Sequence, residues 1–556
     1  MALVGPVIPP DLFKLLVCSI VISQYVFRRY EPTLYSAWLT FLSGQVVLHV
    51  IYYVRHSTAM PLLTWIAVNA VYALGLTSAI LLYRISPLHP LSSYPGPLVR
   101  RLSKMCALPS AWIGTTHEDL LKYHRMYGRY VRIGPNELSI TDAAAVPIIY
   151  GHHGWKKGES YAIFSRVKGG VDSVQDTRDE AEHARRRKTW DKALTTTALA
   201  SYQERVRARA RQLCELIASA RGEAVDLSLY AKYFTWDVIF DLGFGGHGFN
   251  MLEKGHEELP FIKSLAAYIR LIKTAGNVPE LAGLLKALPG DADVEMFIKR
   301  VAGIFYSKLE EGVSSADLFS HIISPIQPSN SASENERLVA EALSDCILFV
   351  GAGSDTTSSA VANTLFLLVS ENKGENAIYK RLQRELDNAF EDGDELDSTV
   401  LIQKVPLLAA VINESMRLLP PVSTGPFQRL SPAGGAIVAG HFIPENTKVI
   451  IPPYAIHHDP EYFPRPDSFQ PDRWMPDAPE EIRIRDPNAY RPYNCVGKQL
   501  ALMELHLAVA ALVHRFDAKF AEGFDPDAFL NGERDAVTRQ LTVPLKMRFS
   551  LRGLDN

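Results

Sequence analysis

The chain has 556 residues, a formal net charge of -3, and 47% hydrophobic, 21% charged and 10% aromatic residues. This is the composition of a globular protein, and it excludes a disordered, collagen-like or disulfide-dense chain. The near-neutral charge argues against nucleic acid as a partner, because proteins that bind phosphate backbones usually carry a basic surface. The five cysteines are scattered, which favours a reducing compartment over a disulfide framework or a zinc cluster.

Three apolar segments fill the first 83 residues, at about residues 12–27, 33–54 and 61–83. The second and third are each about 22 residues long, enough to span a hydrocarbon core of about 30 Å. The first is shorter and carries Lys14, whose long side chain would have to reach the interface. We therefore predict a membrane region over residues 1–83 with up to three transmembrane helices. The alternative is that only the third segment crosses.

Basic residues predict the orientation, because Lys and Arg concentrate in cytoplasmic loops. They follow the first and the third segments, at Arg28, Arg29, Arg84, Arg100, Arg101 and Lys104. The loop between the second and third segments carries only Arg55. If all three segments cross, both basic clusters lie on one side of the membrane. The remainder of the chain is then predicted to lie in the cytosol.

Residues 84–110 are rich in proline, which fixes its own φ and pushes the preceding residue out of the helical region. This predicts a stiff hinge between the membrane region and a catalytic domain over residues 111–556. The hydrophobic pattern of that domain predicts mostly helices, for example over 199–220, 336–370 and 500–516. Short strands are predicted at 130–133 and 448–451.

A glycine motif, V-G-A-G-S-D-T-T, interrupts the apolar helix predicted over 336–370. Gly351 and Gly353 would open space beside the helix, because they lack a side chain. Asp355 next to Thr356 places an acid beside a hydroxyl, a pair that can relay protons. Such a motif alone is more often structural.

A second motif pairs Glu414 with Arg417, three residues apart on a predicted helix and therefore facing the same way. Arg473 follows in a proline-rich loop. A glutamate between two arginines can form a closed ion network, which needs good geometry to offset desolvation. The alternative is a solvated surface pair.

Cys495 lies in R-P-Y-N-C-V-G-K-Q-L, ahead of a segment with helical periodicity. Backbone N–H groups and the dipole at a helix N-terminus lower a thiol pKa. Gly497 would let a flat, bulky group approach the backbone. One interpretation is an axial haem ligand. The other, commoner for a free cysteine, is a small core residue.

In this order and spacing, the motifs resemble the cytochrome P-450 superfamily of haem-thiolate monooxygenases, from the proline-rich segment to the C-terminus. Residues 352–357 resemble its oxygen-activating helix, Glu414, Arg417 and Arg473 its Glu-Arg-Arg triad, and the Cys495 segment its thiolate loop. The segment N-C-V-G-K-Q-L-A-L-M-E-L resembles membrane-bound fungal members in particular. The resemblance implies the cytochrome P-450 fold, a single domain that is mainly α with small β-sheets, preceded here by N-terminal transmembrane helices.

The resemblance also implies haem b (iron protoporphyrin IX), with Cys495 as the axial ligand, Gly497 beside it, and Asp355 and Thr356 delivering protons. The substrate is expected to be a hydrophobic small molecule, as in fungal secondary metabolism such as terpenoid biosynthesis. Electrons are expected from NADPH-cytochrome P-450 reductase. The expected location is the endoplasmic reticulum, as a multi-pass membrane protein with its catalytic domain in the cytosol.

Further basic residues receive roles from the same resemblance. By motif position, His183, Arg429 and His457 are expected to contact the haem propionates; a solvated surface position is the alternative for His183. A reductase-docking face is expected on the Cys495 side of the haem, formed by Arg185, Arg186, Arg187, Lys188 and Lys498. The alternative is a solvated basic face.

The thiolate loop departs from the family pattern Phe-x-x-Gly-x-Arg-x-Cys, since Asn488, Arg491 and Tyr493 hold the first three defined positions. The sequence reads as if about five residues were missing before Cys495. Two alternatives to a monooxygenase remain open, and the shortened loop is the reason for the second of them. One is a haem-thiolate isomerase or dehydratase, which the intact Asp355–Thr356 pair disfavours. The other is a non-catalytic, haem-poor relic.

Overall fold

The structure, a computed structural model, describes residues 8–29, 34–162, 171–245, 248–254, 260–278, 292–312, 317–371, 374, 377–390, 395–425, 427–490 and 494–553. The helices there are α1 (Pro10–Arg29), α2 (Leu34–His56), α3 (Leu62–Ile85), α4 (Leu98–Leu102), α5 (Leu108–Ile113), α6 (Thr116–Tyr127), α7 (Ala145–Tyr150), α8 (Glu180–Ala193), α9 (Thr196–Ser219), α10 (Leu227–Phe244), α11 (Met251–Lys254), α12 (Pro260–Gly276), α13 (Ala292–Glu311), α14 (Leu318–Ile323), α15 (Ala332–Ser370), α16 (Ile378–Ala389), α17 (Ser398–Lys404), α18 (Pro406–Leu418), α19 (Pro453–His457), α20 (Lys498–Arg515) and α21 (Pro526–Asn531).

Short 3-10 turns occur at Lys104–Ala107, Glu159–Ala162, Pro471–Trp474 and Pro487–Ala489. The strands are β1 (Tyr130–Gly134), β2 (Glu137–Ile140), β3 (Lys156–Lys157), β4 (Val225–Asp226), β5 (Arg429–Leu430), β6 (Ala436–Val438), β7 (His441–Ile443), β8 (Lys448–Ile450), β9 (Phe516–Phe520), β10 (Glu533–Ala536), β11 (Thr538–Leu541) and β12 (Lys546–Leu551). The chain is therefore mainly helical with small sheets, which confirms the predicted fold class at that level.

The three N-terminal helices pack against one another through polar contacts. Ser23 of α1 and Tyr72 of α3 share a hydrogen bond of 2.7 Å between their hydroxyls. The Gln45 amide of α2 donates to Asn69 Oδ1 at 2.8 Å, and Trp65 donates back to Gln45 at 2.9 Å. Because buried polar groups need partners, these bonds set how the helices face one another.

In the described part of the chain, α3 is the one helix long and apolar enough to cross a membrane, judged by length and composition. Within α1, the residues Leu12–Val26 form a shorter apolar helix. The sequence predicts helices at all three apolar segments, and these are confirmed. That all three cross a membrane is not confirmed.

The proline-rich segment packs against the first sheet. Tyr94 donates to the Phe442 carbonyl at 2.8 Å, and the Arg132 N–H of β1 donates to the Pro95 carbonyl at 2.7 Å. A Cβ on Gly96 would lie 2.1 Å from the Arg132 carbonyl oxygen, so only glycine permits this approach. The division of the chain at residues 83 and 110 stays a prediction.

One five-stranded sheet, in the order β1-β2-β8-β5-β3, holds the predicted strand segments. β2 pairs with β8 in parallel, and the other neighbours are antiparallel. This sheet positions Arg429 in β5. A three-stranded sheet (β4-β12-β9) and the hairpins β6-β7 and β10-β11 complete the β structure of the described residues.

The main core lies between α9, α10, α15, α18 and α20. The long helix α15 confirms the helix predicted over 336–370, and α10 packs closely along it: a Cβ on Gly353 would come within 2.6 Å of Ile239 Cδ1. Gly353 therefore serves close helix packing, and the expectation that it opens space is wrong for this residue. Gly351 has no atom within 4 Å of an added Cβ, so space does open there.

Candidate functional site

A cavity of about 2060 Å³ lies over the middle of α15 and is lined by residues of α8, α12, α13, α15 and the start of α20. Six of the site residues chosen from the sequence line it: His183, Arg187, Thr356, Arg429, Cys495 and Gly497. They come from separate helices, a strand and a loop. The fold therefore brings together side chains that are more than 300 residues apart in the sequence.

Cys495 lies just ahead of α20, with Gly497 as the N-cap and Lys498 as the first helical residue. The side chain is exposed to the cavity. Hydrogen bonds from the backbone N–H groups of Gly497 and Lys498 act to lower the thiol pKa. Burial within the protein raises the pKa of Cys495 by more, so the expected depression is wrong for the metal-free thiol. A metal cation would reverse this balance, because a coordinating thiol is deprotonated.

Gly497 leaves room beside the sulfur. A Cβ added there would meet only Cys495 Sγ, at 3.9 Å. Its φ of -78° suits any residue, so backbone conformation does not require glycine. A side chain at this position would enter the space over the sulfur, where a planar group bound to it would lie.

Arg429 is held in a fixed orientation at the cavity wall. Its guanidinium lies 5.3 Å from the ring centre of Tyr150 and 5.4 Å from that of Tyr161, and Nη1 donates to the Trp155 carbonyl at 3.2 Å. Nε is buried and has no hydrogen-bond partner among the described residues. A buried, unpaired donor calls for an acceptor such as a ligand carboxylate.

His183 of α8 adds to the same basic region. Burial, followed by the positive charges of Lys157, Arg187 and Arg429, lowers the pKa of His183 to about 4. So much positive charge around a neutral imidazole favours an anionic ligand. Together with the thiol and the space at Gly497, these residues fit an iron porphyrin, whose propionates are anionic and whose iron binds thiolate.

Lys157 is a cavity residue that the sequence analysis missed. Its ammonium group donates to the carbonyls of Val174, Gln175 and Thr177 at 3.3, 2.9 and 3.0 Å. Burial is the main cause that lowers its pKa to about 8. The three contacts use all three donors, so Lys157 anchors the 174–177 loop and adds charge without being a ligand. No local motif marks it.

On α15, Thr356 faces the cavity and Asp355 does not line it. The Thr356 hydroxyl donates to the Ala352 carbonyl at 2.9 Å, one helical turn earlier. Burial raises the pKa of Asp355, and the charge of Lys232 on α10 opposes the rise. Successive helical residues point in different directions, so the acid lies behind the hydroxyl and outside the cavity lining.

Glu414, Arg417 and Arg473 form a closed network away from the cavity. Arg417 Nε and Nη2 each donate to the Glu414 carboxylate at 2.9 Å, and Arg473 Nε donates at 3.1 Å. The carboxylate also accepts from Trp474 Nε1 at 2.8 Å and from the Gln470 N–H at 2.9 Å. All three charged side chains are fully buried. This closed and fully hydrogen-bonded geometry is the kind that can offset the desolvation cost of the buried charges.

The two arginines also fasten the loop after α19. Their remaining donors bind the backbone carbonyl of His457, at the end of α19, and those of five residues in the loop that follows: Pro464, Arg465, Pro466, Ser468 and Ile482. A solvated surface pair, the alternative reading of this motif, does not describe it.

His457 does not line the cavity, and the expectation that it contacts a haem propionate is wrong in this structure. Its side chain is buried beside the triad, with Nδ1 3.2 Å from the Arg417 carbonyl oxygen and the ring against Phe463 and Tyr490.

The basic residues of α8 are mostly paired within the protein. Arg186 is buried and bonded to the Asp345 carboxylate of α15, so its assignment to a docking face is wrong. Arg185 pairs with Glu182 at 2.6 Å and Glu341 at 2.5 Å. Arg187 lies 2.8 Å from Asp191 and lines the cavity. Lys188 and Lys498 are exposed.

The unusual thiolate loop is described only in part. Asn488 lies in the 3-10 turn Pro487–Ala489, and Tyr490 donates to the Asn413 carbonyl at 3.1 Å. Arg491 and Tyr493 lie outside the described residues.

Comparison with known proteins agrees with this site. The model of the Cytochrome P450 family matches residues 102–547. Cytochrome P450 67 of Uromyces fabae is 32% identical over 549 residues, covering 95% of this chain and 97% of the relative. Cytochrome P450 monooxygenase orf5 of Eupenicillium brefeldianum is 32% identical over 492 residues, covering 87% and 96%. Cytochrome P450 monooxygenase FCK2 of Fusarium pseudograminearum is 32% identical over 491 residues, covering 86% and 85%.

The chain belongs to the cytochrome P450 family. It is a cytochrome P450 monooxygenase, an oxidoreductase that uses dioxygen and electrons from a redox partner, with a haem-iron cofactor.

Proposed function

We propose that this protein is a membrane-anchored monooxygenase that hydroxylates or otherwise oxidises a hydrophobic small molecule in secondary metabolism of the fungal type, with terpenoids as the substrate class. The observation that carries the proposal is that the Cys495 thiol and the Thr356 hydroxyl face one large cavity. Side chains such as Ile239, Phe297 and Leu348 give this cavity an apolar wall. The similarity to fungal monooxygenases supports it.

In this proposal Cys495 holds the iron of haem b, and Arg429 and His183 hold the propionates. The bound haem supplies activation of dioxygen and the transfer of one oxygen atom to substrate. The polypeptide supplies the pocket and the protons. Thr356 holds a proton on Oγ1 at the cavity wall, and burial keeps Asp355 closer to its protonated form than an exposed carboxyl. The pair is therefore suited to pass protons into the cavity.

The same proposal places residues 1–83 in the membrane and the catalytic domain, residues 111–556, in the cytosol at the endoplasmic reticulum. The length and composition of α3 support an anchor. The proposed electron donor is NADPH-cytochrome P-450 reductase, which suits a cytosolic domain.

Reconstitution with that reductase tests the function. The purified full-length protein in lipid vesicles should consume NADPH and add one oxygen atom from labelled dioxygen to a hydrophobic substrate. Screening a terpenoid set and a matched set of aromatic polyketides separates the substrate class from the reaction. The function would be contradicted if neither substrate set gave a product that carries an oxygen atom from the labelled dioxygen.

Thr356→Ala should leave haem content unchanged and uncouple NADPH consumption from product, with release of peroxide. The methyl side chain cannot hold a proton at the cavity wall, so we expect product per NADPH to fall about 10-fold or more. Thr356→Ser keeps the hydroxyl and is the matched control. Equal coupling in the alanine and serine variants would reject the proton-delivery role.

Lys188 and Lys498 are exposed members of the proposed docking face, and Arg185, also exposed, pairs with Glu182 and Glu341. Replacing the two lysines with Glu should slow reductase-supported turnover about 10-fold at low salt, because electrostatic steering raises encounter rates. The defect should shrink as ionic strength rises. Peroxide-supported turnover needs no reductase and should be spared; an equal loss in both assays would point to a folding or haem-retention defect.

A further inference from the structure

We propose that Arg270 binds a carboxylate on the substrate, so that this enzyme selects hydrophobic carboxylic acids. The inference rests on the proposed function and names the substrate class of the same cavity. Its basis is a guanidinium in the cavity wall with no ionic or hydrogen-bonding partner for its side chain in the described part of the chain.

Arg270 lies on α12, which crosses the cavity and contributes Leu265, Ile269 and Leu271 to its lining. The guanidinium carbon lies 4.8 Å from the ring centre of Trp112, which also lines the cavity. Stacking on the indole fixes the plane of the guanidinium and covers one face. The donors along its edge are then left for a ligand.

The Nε atom of Arg270 is buried and has no hydrogen-bond partner among the described residues. A buried donor without a partner is unfavourable, and in a cavity wall an acceptor on a ligand or an ordered water would satisfy it. Glu295 and Glu336 also line the cavity, but both are exposed and neither forms an ion pair with Arg270.

Apart from the exposed Lys156, the cavity cations named here differ from Arg270 because they already have partners or a role. Arg187 pairs with Asp191, Lys157 binds three carbonyls, and Arg178 donates to the Lys157 carbonyl at 3.2 Å. Arg429 and His183 belong to the region assigned to the propionates. Arg270 is therefore the guanidinium left to contact a substrate.

A carboxylate suits this position better than a phosphate or a neutral carbonyl. Its two oxygens match the fork of a guanidinium, and it carries one charge against the one charge of Arg270. A doubly charged phosphate would keep an unbalanced charge against the apolar residues of α12. A neutral carbonyl would lack the charge-assisted hydrogen bonds.

Isothermal titration calorimetry on the full-length holoprotein in a non-ionic detergent at pH 7.5 tests the proposal. The probes are two acid and ester pairs: dodecanoic acid with methyl dodecanoate, and abietic acid with methyl abietate. In wild-type protein at least one acid should bind 10-fold or more tightly than its ester. Arg270→Met should remove that preference to within 3-fold while leaving ester affinity unchanged, and Arg270→Lys should retain part of it.

Arg300→Met is the matched control. Arg300 stacks on Phe249 at the same 4.8 Å but lies on α13 outside the cavity lining. This variant should keep the wild-type preference for the acid. The proposal is overturned if wild-type protein binds neither acid, if acid and ester bind equally, or if Arg270→Met and Arg300→Met behave alike.

Failure of this inference is distinct from failure of the proposed function. A protein with a haem-thiolate spectrum and product formation, but no acid preference that depends on Arg270, rejects only the inference. A protein with the acid preference but no haem-thiolate spectrum rejects the proposed function and leaves the acid site in place.

Discussion

Cys495→Ser is expected to abolish thiolate ligation and lower monooxygenase turnover by more than about 100-fold, since changes even in outer-shell residues cost 10- to 100-fold at metal sites. A neutral hydroxyl cannot replace a soft, anionic sulfur donor. Cys495 is also the cysteine that lines the cavity in the described residues. The optical spectrum of the reduced, carbon monoxide-bound protein measures the ligation directly.

Cys106→Ser is the control for this substitution. Cys106 is also an exposed cysteine, but it lies in the 3-10 turn Lys104–Ala107 and does not line the cavity. Its serine variant should keep the wild-type spectrum and turnover. If the Cys495→Ser protein kept a thiolate-type spectrum, the ligand would have to be another cysteine, and the site assigned here would be wrong.

Glu414→Ala should destabilise the catalytic domain by about 3–5 kcal/mol, the usual effect of removing one partner from a buried ion network. The change leaves Arg417 and Arg473 buried without their shared carboxylate, and it removes acceptors from Trp474 and the Gln470 N–H. The free energy of unfolding in urea and the haem content of purified protein should both fall.

An exposed pair in the same part of the chain provides the comparison. Glu480 lies 3.1 Å from Arg483, and both side chains are largely exposed. Glu480→Ala should change the free energy of unfolding by less than about 1 kcal/mol, as solvent-exposed pairs do. Similar stability losses in Glu414→Ala and Glu480→Ala would show that the triad does not hold the domain together.

Local pattern predicts much of this fold because helical periodicity and motif spacing are local properties. The helices predicted over 199–220, 336–370 and 500–516 are confirmed as α9, α15 and α20, and the strands at 130–133 and 448–451 as β1 and β8. The three-residue spacing of Glu414 and Arg417 also predicts that they share a face, and the structure brings Arg473 to them.

Long-range contacts account for the errors. From the sequence, Arg186 is one more cation on a basic helix. In the fold it is buried and bonded to Asp345, which lies 159 residues later in the chain. The sequence predicts open space beside Gly353, but Ile239 of α10 packs against this glycine. The pKa of Cys495 is raised by desolvation from the protein that surrounds the cavity, which local helix-terminus arguments omit. Arg270 carries no motif, and its significance comes from the cavity around it.

The reduced, carbon monoxide-bound spectrum of the wild-type full-length protein tests the central claim most directly, namely that this chain binds haem through the Cys495 thiolate despite its unusual loop. We predict a red-shifted Soret band of the thiolate type with about one haem per chain. Protein without haem, or haem whose Soret band indicates a neutral ligand, would contradict the claim.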